Sequence, residues 1–527
     1  MKLEGLSILG NGRATATGTA TPAVNAATGA RLDPGYHWAS RHDVDRAAEL
    51  ADSAFAQFAQ WPAKGRAALL RRIAELIESN AAAIQERAHL ETALPLGRLQ
   101  GETARTCGQL RLFATLIEDG WWMNVRIDHA DPNRKPVPKP DLRSMFTPLG
   151  PVVVFSSSNF PLAFSVAGGD TASALAAGCP VIVKPHHGHL GTSEMVGLLV
   201  QQAAREIGAP DGTFSMLFGP GREVGVALVK HPLIKAVGFT GSRSGGRALM
   251  DAAAARPEPI PVYAEMGSIN PVFVLPERLS QKAEELAAGL HASVTLGVGQ
   301  FCTNPGLVFV PRGSGSDVLA RKLSELIRST PPASMLTTDL CKAYQKGVGT
   351  FSQATGVRVL AQAAAGTGEN PQAGAALFAT DASNFLKHPS LMDEVFGPST
   401  LLVECDSADQ MLKGAQILEG QLTATFHGTE ADLANHRQLI QAAVAKAGRI
   451  VCNGFPTGVE VCHAMTHGGP YPACSDPRTT SVGSRAIERF VRPVSFQGFP
   501  DAALPDELKE GNPLNVWRLV DGQWQQG

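Results

Sequence analysis

A chain of 527 residues, 44% hydrophobic and 18% charged, is too long for one core and has the make-up of a globular protein of roughly two to four domains. Its formal net charge of −2 excludes the basic footprint that nucleic acid or an anionic membrane would need. Eight cysteines without a C-x-x-C pair, fourteen histidines without metal spacing, no apolar leader after Met1 and no uncharged run of spanning length lead to the expectation of a cytoplasmic protein with no disulfide framework, no metal and no membrane segment.

Residues 1–40, rich in Gly, Ala and Thr, read as an irregular arm. From His42 the pattern turns helical, and Leu69, Leu70, Ile73, Leu76, Ile77 and Ile84 recur at three- and four-residue steps along one face. A second helix is expected over residues 102–119. Residues 125–143, with many prolines and charges, read as extended or exposed chain. At Pro151 the character changes. Pro151-Val-Val-Val-Phe155 and Pro180-Val-Ile-Val-Lys184 are apolar runs of strand length, and further strands are expected over 213–218, 234–239 and 262–265 with helices between most of them. Short buried strands alternating with helices predict a doubly wound parallel sheet, and such sheets bind ligands beyond the carboxyl ends of their strands.

That rule singles out Lys184 at one strand end and Gly238-Phe-Thr-Gly241-Ser242-Arg-Ser-Gly245-Gly246 at another, where a helix N-terminus offers free N–H groups to phosphate. Lys184 would equally serve as a solvated strand end and the glycines as a simple turn, and G-x-G-x-x-G is absent. Gly267-Ser268 reads as a hinge, after which strand and helix alternate again in a second unit. This unit contains Thr295-Leu-Gly297-Val-Gly299-Gln-Phe-Cys302-Thr-Asn-Pro-Gly306 followed by the apolar Leu307-Val-Phe-Val310. A thiol there is either a small buried hydrophobe or a nucleophile held over a cleft. Residues 336–389 form a long excursion with an Ala/Gly-rich stretch at 361–376. The loop after Asn453-Gly454 is rich in Gly, Pro and His, and residues 490–497 alternate like a strand whose edge would suit a partner.

Seven segments taken together resemble the aldehyde dehydrogenase superfamily, in its order and over nearly the whole chain. They are Ser158-Asn159-Phe160-Pro161, Val183-Lys184-Pro185, Phe239-Thr-Gly-Ser242, Glu265-Met-Gly-Ser268, Gly299-Gln-Phe-Cys302, Glu394-Val-Phe396-Gly-Pro398 and Arg492-Pro-Val. Residues 108–113, 164–178 and 514–521 are most similar to the bacterial 2,5-dioxovalerate (α-ketoglutaric semialdehyde) dehydrogenases, close to the NADP-linked long-chain fatty aldehyde dehydrogenases. Two positions depart: Ser268 stands for a usual glycine and Pro185 for a usual alanine.

The resemblance implies a Rossmann-type cofactor domain (1–125 and 147–267), a second α/β catalytic domain (268–467), oligomerisation strands (126–146 and 484–500) and a tail (501–527). It implies NAD(P)-dependent oxidation of an aldehyde, most similar to a 2,5-dioxopentanoate oxidation, in a homodimer or homotetramer. Cys302 is the implied nucleophile, Asn159 with the Cys302 N–H the oxyanion donors and Glu265 the base for thioester hydrolysis. Lys184, His187, Gly241, Ser242, Gly245, Glu394 and Phe396 are the implied cofactor contacts. Histidine at 187, where NAD-preferring relatives carry glutamate, favours NADP while leaving NAD possible. Phe160 and Phe455 are expected in the substrate tunnel with the helix around residues 111–113. Arg105 or Arg111 is expected to meet a substrate carboxylate unless both are solvated. A coenzyme A-acylating enzyme is disfavoured by Glu265 and a non-catalytic relative by Cys302 and Asn159. A cysteine–histidine hydrolase finds no histidine near Cys302 in sequence.

Overall fold

The computed structural model describes residues 2–364, 366 and 371–526, so residues 365 and 367–370 of the Ala/Gly-rich stretch lie outside the described residues. No helix among the described residues is long and apolar enough to cross a membrane.

The first sheet has seven strands in the order Val262–Glu265, Ala236–Thr240, Val152–Phe155, Val181–Lys184, Phe214–Met216, Ile8–Leu9, Gly12–Arg13. The first five are parallel, and their mostly apolar interiors, Ser215 excepted, match a sheet covered on both faces. The order reverses between Val152–Phe155 and Ala236–Thr240, the kind of switch point at which such sheets open a crevice. Register then does the positioning. Phe155 pairs with Lys184 and with Phe239, and Thr240 with Glu265, so these strand ends lie level on one side of the sheet.

The second sheet runs Arg358–Gln362, Ala376–Asp381, Ser399–Cys405, Leu307–Pro311, Val272–Val274, Gln421–His427, Ala447–Cys452. It is parallel apart from its first pair. Phe273 stacks on Phe309 and Phe426 at 5.0 and 5.1 Å between ring centres, filling one face. The hinge residue Ser268 accepts the Leu422 N–H at 3.0 Å and donates to Gln421 Oε1 at 2.9 Å, which gives the departure from glycine a structural use: it fastens the hinge to this sheet.

Three expectations change. The N-terminal arm is not irregular, since Ile8–Leu9 pairs antiparallel with Phe214–Met216 and Thr21–Val24 pairs with Arg31–Tyr36. The second helix begins earlier, at Leu96 behind Pro95, and spans Leu96–Asp119. The tail carries strands Arg518–Val520 and Gln523–Gln525, which join Val491–Gln497, Leu142–Pro148 and Val125–Asp128 in a five-stranded sheet. Two- and three-residue strands are too short to show an alternating pattern, so backbone pairing is the first sign of them.

Candidate active site

The cysteine loop is held in an uncommon backbone conformation. Gly297, Val298 and Gly299 have φ of 56°, 59° and 64° in succession, and left-handed backbone is costly for a β-branched valine. A Cβ on Gly299 would lie 2.2 Å from the Gly397 carbonyl carbon, so close approach of two chains requires glycine there. Asn270, itself at φ 47°, donates its side-chain amide to the carbonyls of Cys302 at 2.8 Å and Asn304 at 2.9 Å. The hinge thereby carries the thiol.

Cys302 Sγ lies 3.5 Å from His467 Nε2, and the same nitrogen lies 3.0 Å from Glu265 Oε1. Glu265 Oε2 accepts the Ser481 hydroxyl at 2.8 Å. One atom from each of Cys302, His467 and Glu265 falls within 4.8 Å of the other two. His467 reaches this point because the chain beyond it docks on the end strand of the first sheet. Glu265 forms an antiparallel bridge with Cys474, Met266 N–H donates to Ala473 O at 2.7 Å, and Ser475 N–H donates to Ala264 O at 2.9 Å. His467, 165 residues from Cys302, leaves no local signal; the Gly-, Pro- and His-rich loop is the only hint of it.

The electrostatics follow from burial and neighbours. Burial, then the facing Glu265 carboxylate, pushes the Cys302 thiol well above its ordinary value. Burial alone would raise Glu265, yet the His467 imidazole and the hydroxyl and thiol around it hold the carboxyl below its usual value. The resting site thus carries a thiol beside a carboxylate, and a proton must leave Sγ for the sulfur to attack.

Asn159 is buried and donates its side-chain amide to Gln300 O at 3.0 Å. An amide has a second N–H, which this hydrogen bond leaves free. A narrow cavity with about 300 Å³ of space between atoms leads to the sulfur, lined by Arg105, Phe160, Phe164, Phe301, Cys302 and Val459 among others. Arg111 is not part of it. Six residues on from Arg105 is about 240° round a helix, and Arg111 forks onto Glu78 at 2.6 Å on the exposed side. Phe455 does not line the cavity either; it packs on His427 at 4.7 Å between ring centres and against Gly289, while Gly458 and Val459 of the same loop reach the wall.

A second, open-sided cleft of about 1180 Å³ lies between Ser242, Arg243 and Arg247 on one side and Gly267, Ser268, Glu394 and Gln421 on the other. Ser242 caps the helix Arg243–Ala254, its hydroxyl accepting the Gly245 N–H at 3.2 Å. A Cβ on Gly241 or Gly245 would meet the Phe239 ring at 2.7 or 3.1 Å. A Cβ on Gly267 would meet Glu394 Oε2 at 2.3 Å, so glycine leaves room for that carboxylate. Phe396 lines an adjoining pocket with Glu394 and Asn304. Lys184 is buried, and burial pushes its ammonium down to about 8. The His187 ring packs on His186 at 4.2 Å between centres, and burial and then Lys184 hold its imidazole below the ordinary histidine value. A helix N-terminus and the Glu394 carboxylate in one cleft suit a dinucleotide's phosphates and ribose, while Lys184 and His187 are not among the cleft's lining residues.

A thiol, an amide donor and a paired base are the groups that oxidation of an aldehyde would need. Residues 14–471 match the aldehyde dehydrogenase family, and the chain belongs to that family, whose members use NAD(P). It is 50% identical, over 99% of its length and 100% of the relative's, to alpha-ketoglutaric semialdehyde dehydrogenase 2 of Azospirillum brasilense. It is 47% identical, over 92% of each chain, to alpha-ketoglutaric semialdehyde dehydrogenase of Acinetobacter baylyi. The fold is also that of the NAD+ complex of an aldehyde dehydrogenase from Bacillus cereus, with a TM-score of 0.80 at 22% identity over 94% of this chain and 96% of that one. Betaine aldehyde dehydrogenase of Staphylococcus aureus with NAD+ gives a TM-score of 0.80 at 19% identity, again over 94% and 96%.

Proposed function

We propose that this aldehyde dehydrogenase oxidises 2,5-dioxopentanoate to 2-oxoglutarate. The observation that carries the reading is the cavity at Cys302, whose lining combines Phe160, Phe164 and Phe301 with Arg105. The near full-length likeness to two α-ketoglutaric semialdehyde dehydrogenases agrees with it. The cavity is narrow and has Arg105 in its lining, so a long-chain aldehyde is the poorer fit.

In this reading Cys302 gives its proton to the Glu265–His467 pair as sulfur attacks the aldehyde carbon. The C–S bond forms and the carbonyl oxygen becomes an oxyanion, met by the free N–H of the Asn159 amide and the Cys302 backbone N–H. Each such donor is worth about 3 kcal/mol in comparable sites. A nicotinamide dinucleotide held by Lys184, the helix start at Ser242 and Glu394 supplies the hydride acceptor. When the oxyanion collapses with loss of hydride, an acyl thioester remains on Cys302. The Glu265–His467 pair, having passed the thiol's proton to solvent, then takes a proton from water as its oxygen attacks the thioester carbon. The C–S bond breaks, the pair returns its proton to the departing Cys302 sulfur, and the product acid loses its remaining proton to solvent and leaves as a carboxylate.

The same reading favours NADP. No carboxylate stands at position 187 to repel a 2′-phosphate, and a neutral imidazole there leaves the Lys184 charge unopposed. It also has the protein act in the cytoplasm as a homodimer or homotetramer. The outer strand Val491–Gln497, beside the half-exposed Phe499, is the edge offered to a partner.

Reduction of NADP and NAD with 2,5-dioxopentanoate, succinic semialdehyde and hexadecanal tests the reading. The expected order of kcat/KM puts 2,5-dioxopentanoate with NADP first, and Cys302→Ala abolishes turnover with all three. A higher kcat/KM for hexadecanal would overturn the substrate, and a higher one with NAD the cofactor preference.

A further inference from the structure

Three arginines approach the Cys302 cavity, and their side-chain nitrogens are spent differently. Arg449, from the strand Ala447–Cys452, gives both terminal nitrogens to the carbonyls of Pro456 and Gly458. Arg98 gives Nη2 to the Asn159 carbonyl at 2.6 Å, and its guanidinium lies over Phe160 and Phe301 at 5.1 and 4.5 Å from their centres. Arg105 differs. Its Nη1 donates to Val459 O, while Nε and Nη2 are both buried with no hydrogen-bond partner among the described residues, where Arg98 leaves only Nη1 and Arg449 only Nε in that state. Nε–H and Nη2–H point to the same side of a guanidinium and form the fork that takes a carboxylate with two parallel hydrogen bonds. The plane is held by Val459 at one edge and by Phe164, whose ring centre is 5.4 Å from Cζ. The guanidinium and the Cys302 sulfur belong to the same cavity wall.

Buried N–H groups without acceptors are costly, and a ligand carboxylate removes that cost. We propose that the Nε/Nη2 fork of Arg105 binds the carboxylate at the far end of a short ω-semialdehyde, so that chain length between acid and aldehyde decides which substrates bring their carbonyl to Cys302. This deepens the reading given under Proposed function and rests on its assignment of Cys302 as nucleophile. It selects for an acid terminus and against neutral aldehydes of the same length. Arg105 is a substrate-binding residue on this account, with no proton to transfer.

The test compares wild type with Arg105→Met and Arg105→Lys on 2,5-dioxopentanoate and on pentanal, a neutral aldehyde of the same carbon count, with glutarate as an unreactive dicarboxylate. Losing a charge-assisted bidentate contact is expected to lower the ratio of kcat/KM for 2,5-dioxopentanoate over pentanal roughly 10- to 100-fold in Arg105→Met. Arg105→Lys, which keeps the charge without the fork, should fall between. Glutarate should inhibit pentanal oxidation competitively in wild type and much less in Arg105→Met. An unchanged substrate ratio, or equal glutarate inhibition of both proteins, overturns the proposal and leaves Arg105 as a clamp on the 456–460 loop. Glutarate inhibition that depends on Arg105, without oxidation of 2,5-dioxopentanoate by wild type, keeps the carboxylate site and overturns the named substrate.

Discussion

Cys302, His467 and Glu265 share one proton problem. The thiol is pushed well above its ordinary value of 9.0 by burial and by the carboxylate it faces, while Glu265 is held below its own, so near neutral pH the negative charge rests on the acid. The sign for reactivity follows. Alkylation of Cys302 by iodoacetamide should climb steadily with pH and show no plateau below 9.0. In Glu265→Gln the facing charge is gone, the thiol's pKa falls, and alkylation at pH 8 should be faster than in wild type. Turnover in that variant should nevertheless drop about 10²- to 10⁴-fold because water loses its base. Slower alkylation together with unimpaired turnover would sink this division of labour. Cys302, Glu265 and Asn159 stood out in sequence because the segments that carry them resemble those of the aldehyde dehydrogenases; singly, each residue would equally serve as a buried thiol, a satisfied acid or a cap. His467 did not, because a tertiary bridge between Glu265 and Cys474 brings it in.

The helix Leu96–Asp119 is the element on which the site's accuracy depends. Arg98, Glu102 and Arg105 stand at i, i+4 and i+7 on its inner face. They take hold of the Asn159 carbonyl, the loop after Pro161 and the cavity wall respectively. Glu102 is buried, and its Oε1 accepts the N–H groups of Leu162 and Ala163 at 2.8 and 3.0 Å. Glu102→Ala orphans both amides, at about 3 kcal/mol in total, and lets the segment carrying Asn159 drift. The expected result is a lower midpoint in urea unfolding together with a lower kcat, both largely restored in Glu102→Gln, which keeps an acceptor. An unfolding midpoint equal to wild type in Glu102→Ala would refute the role. The same helix explains why the sequence did not separate Arg105 from Arg111. Composition treats them alike, and only helical phase, fixed by where Leu96 starts the helix, turns one inward and leaves the other on Glu78.

Across the whole molecule, the two large sheets were legible from alternating apolar runs and helices, and the level strand ends from the rule for parallel sheets. The strands Ile8–Leu9, Arg518–Val520 and Gln523–Gln525 were not, because pairing made over two or three residues carries no periodicity. What joins the halves is also what shapes the cavity. The 456–460 loop is held from one side by Arg105 of the helix Leu96–Asp119 and from the other by Arg449 of the second sheet. A molecule filling that cavity touches Arg105 and Phe160 of one half and Cys302 and Val459 of the other, so occupancy and the docking of the two halves are linked by mass action. At 100 times its dissociation constant a ligand adds about 2.7 kcal/mol to the stability of the form that binds it. The product 2-oxoglutarate should therefore raise the melting temperature in a concentration-dependent way, and propanoate, too short to span the cavity, should raise it much less. Equal shifts from the two acids would mean that the halves melt without regard to what lies between them.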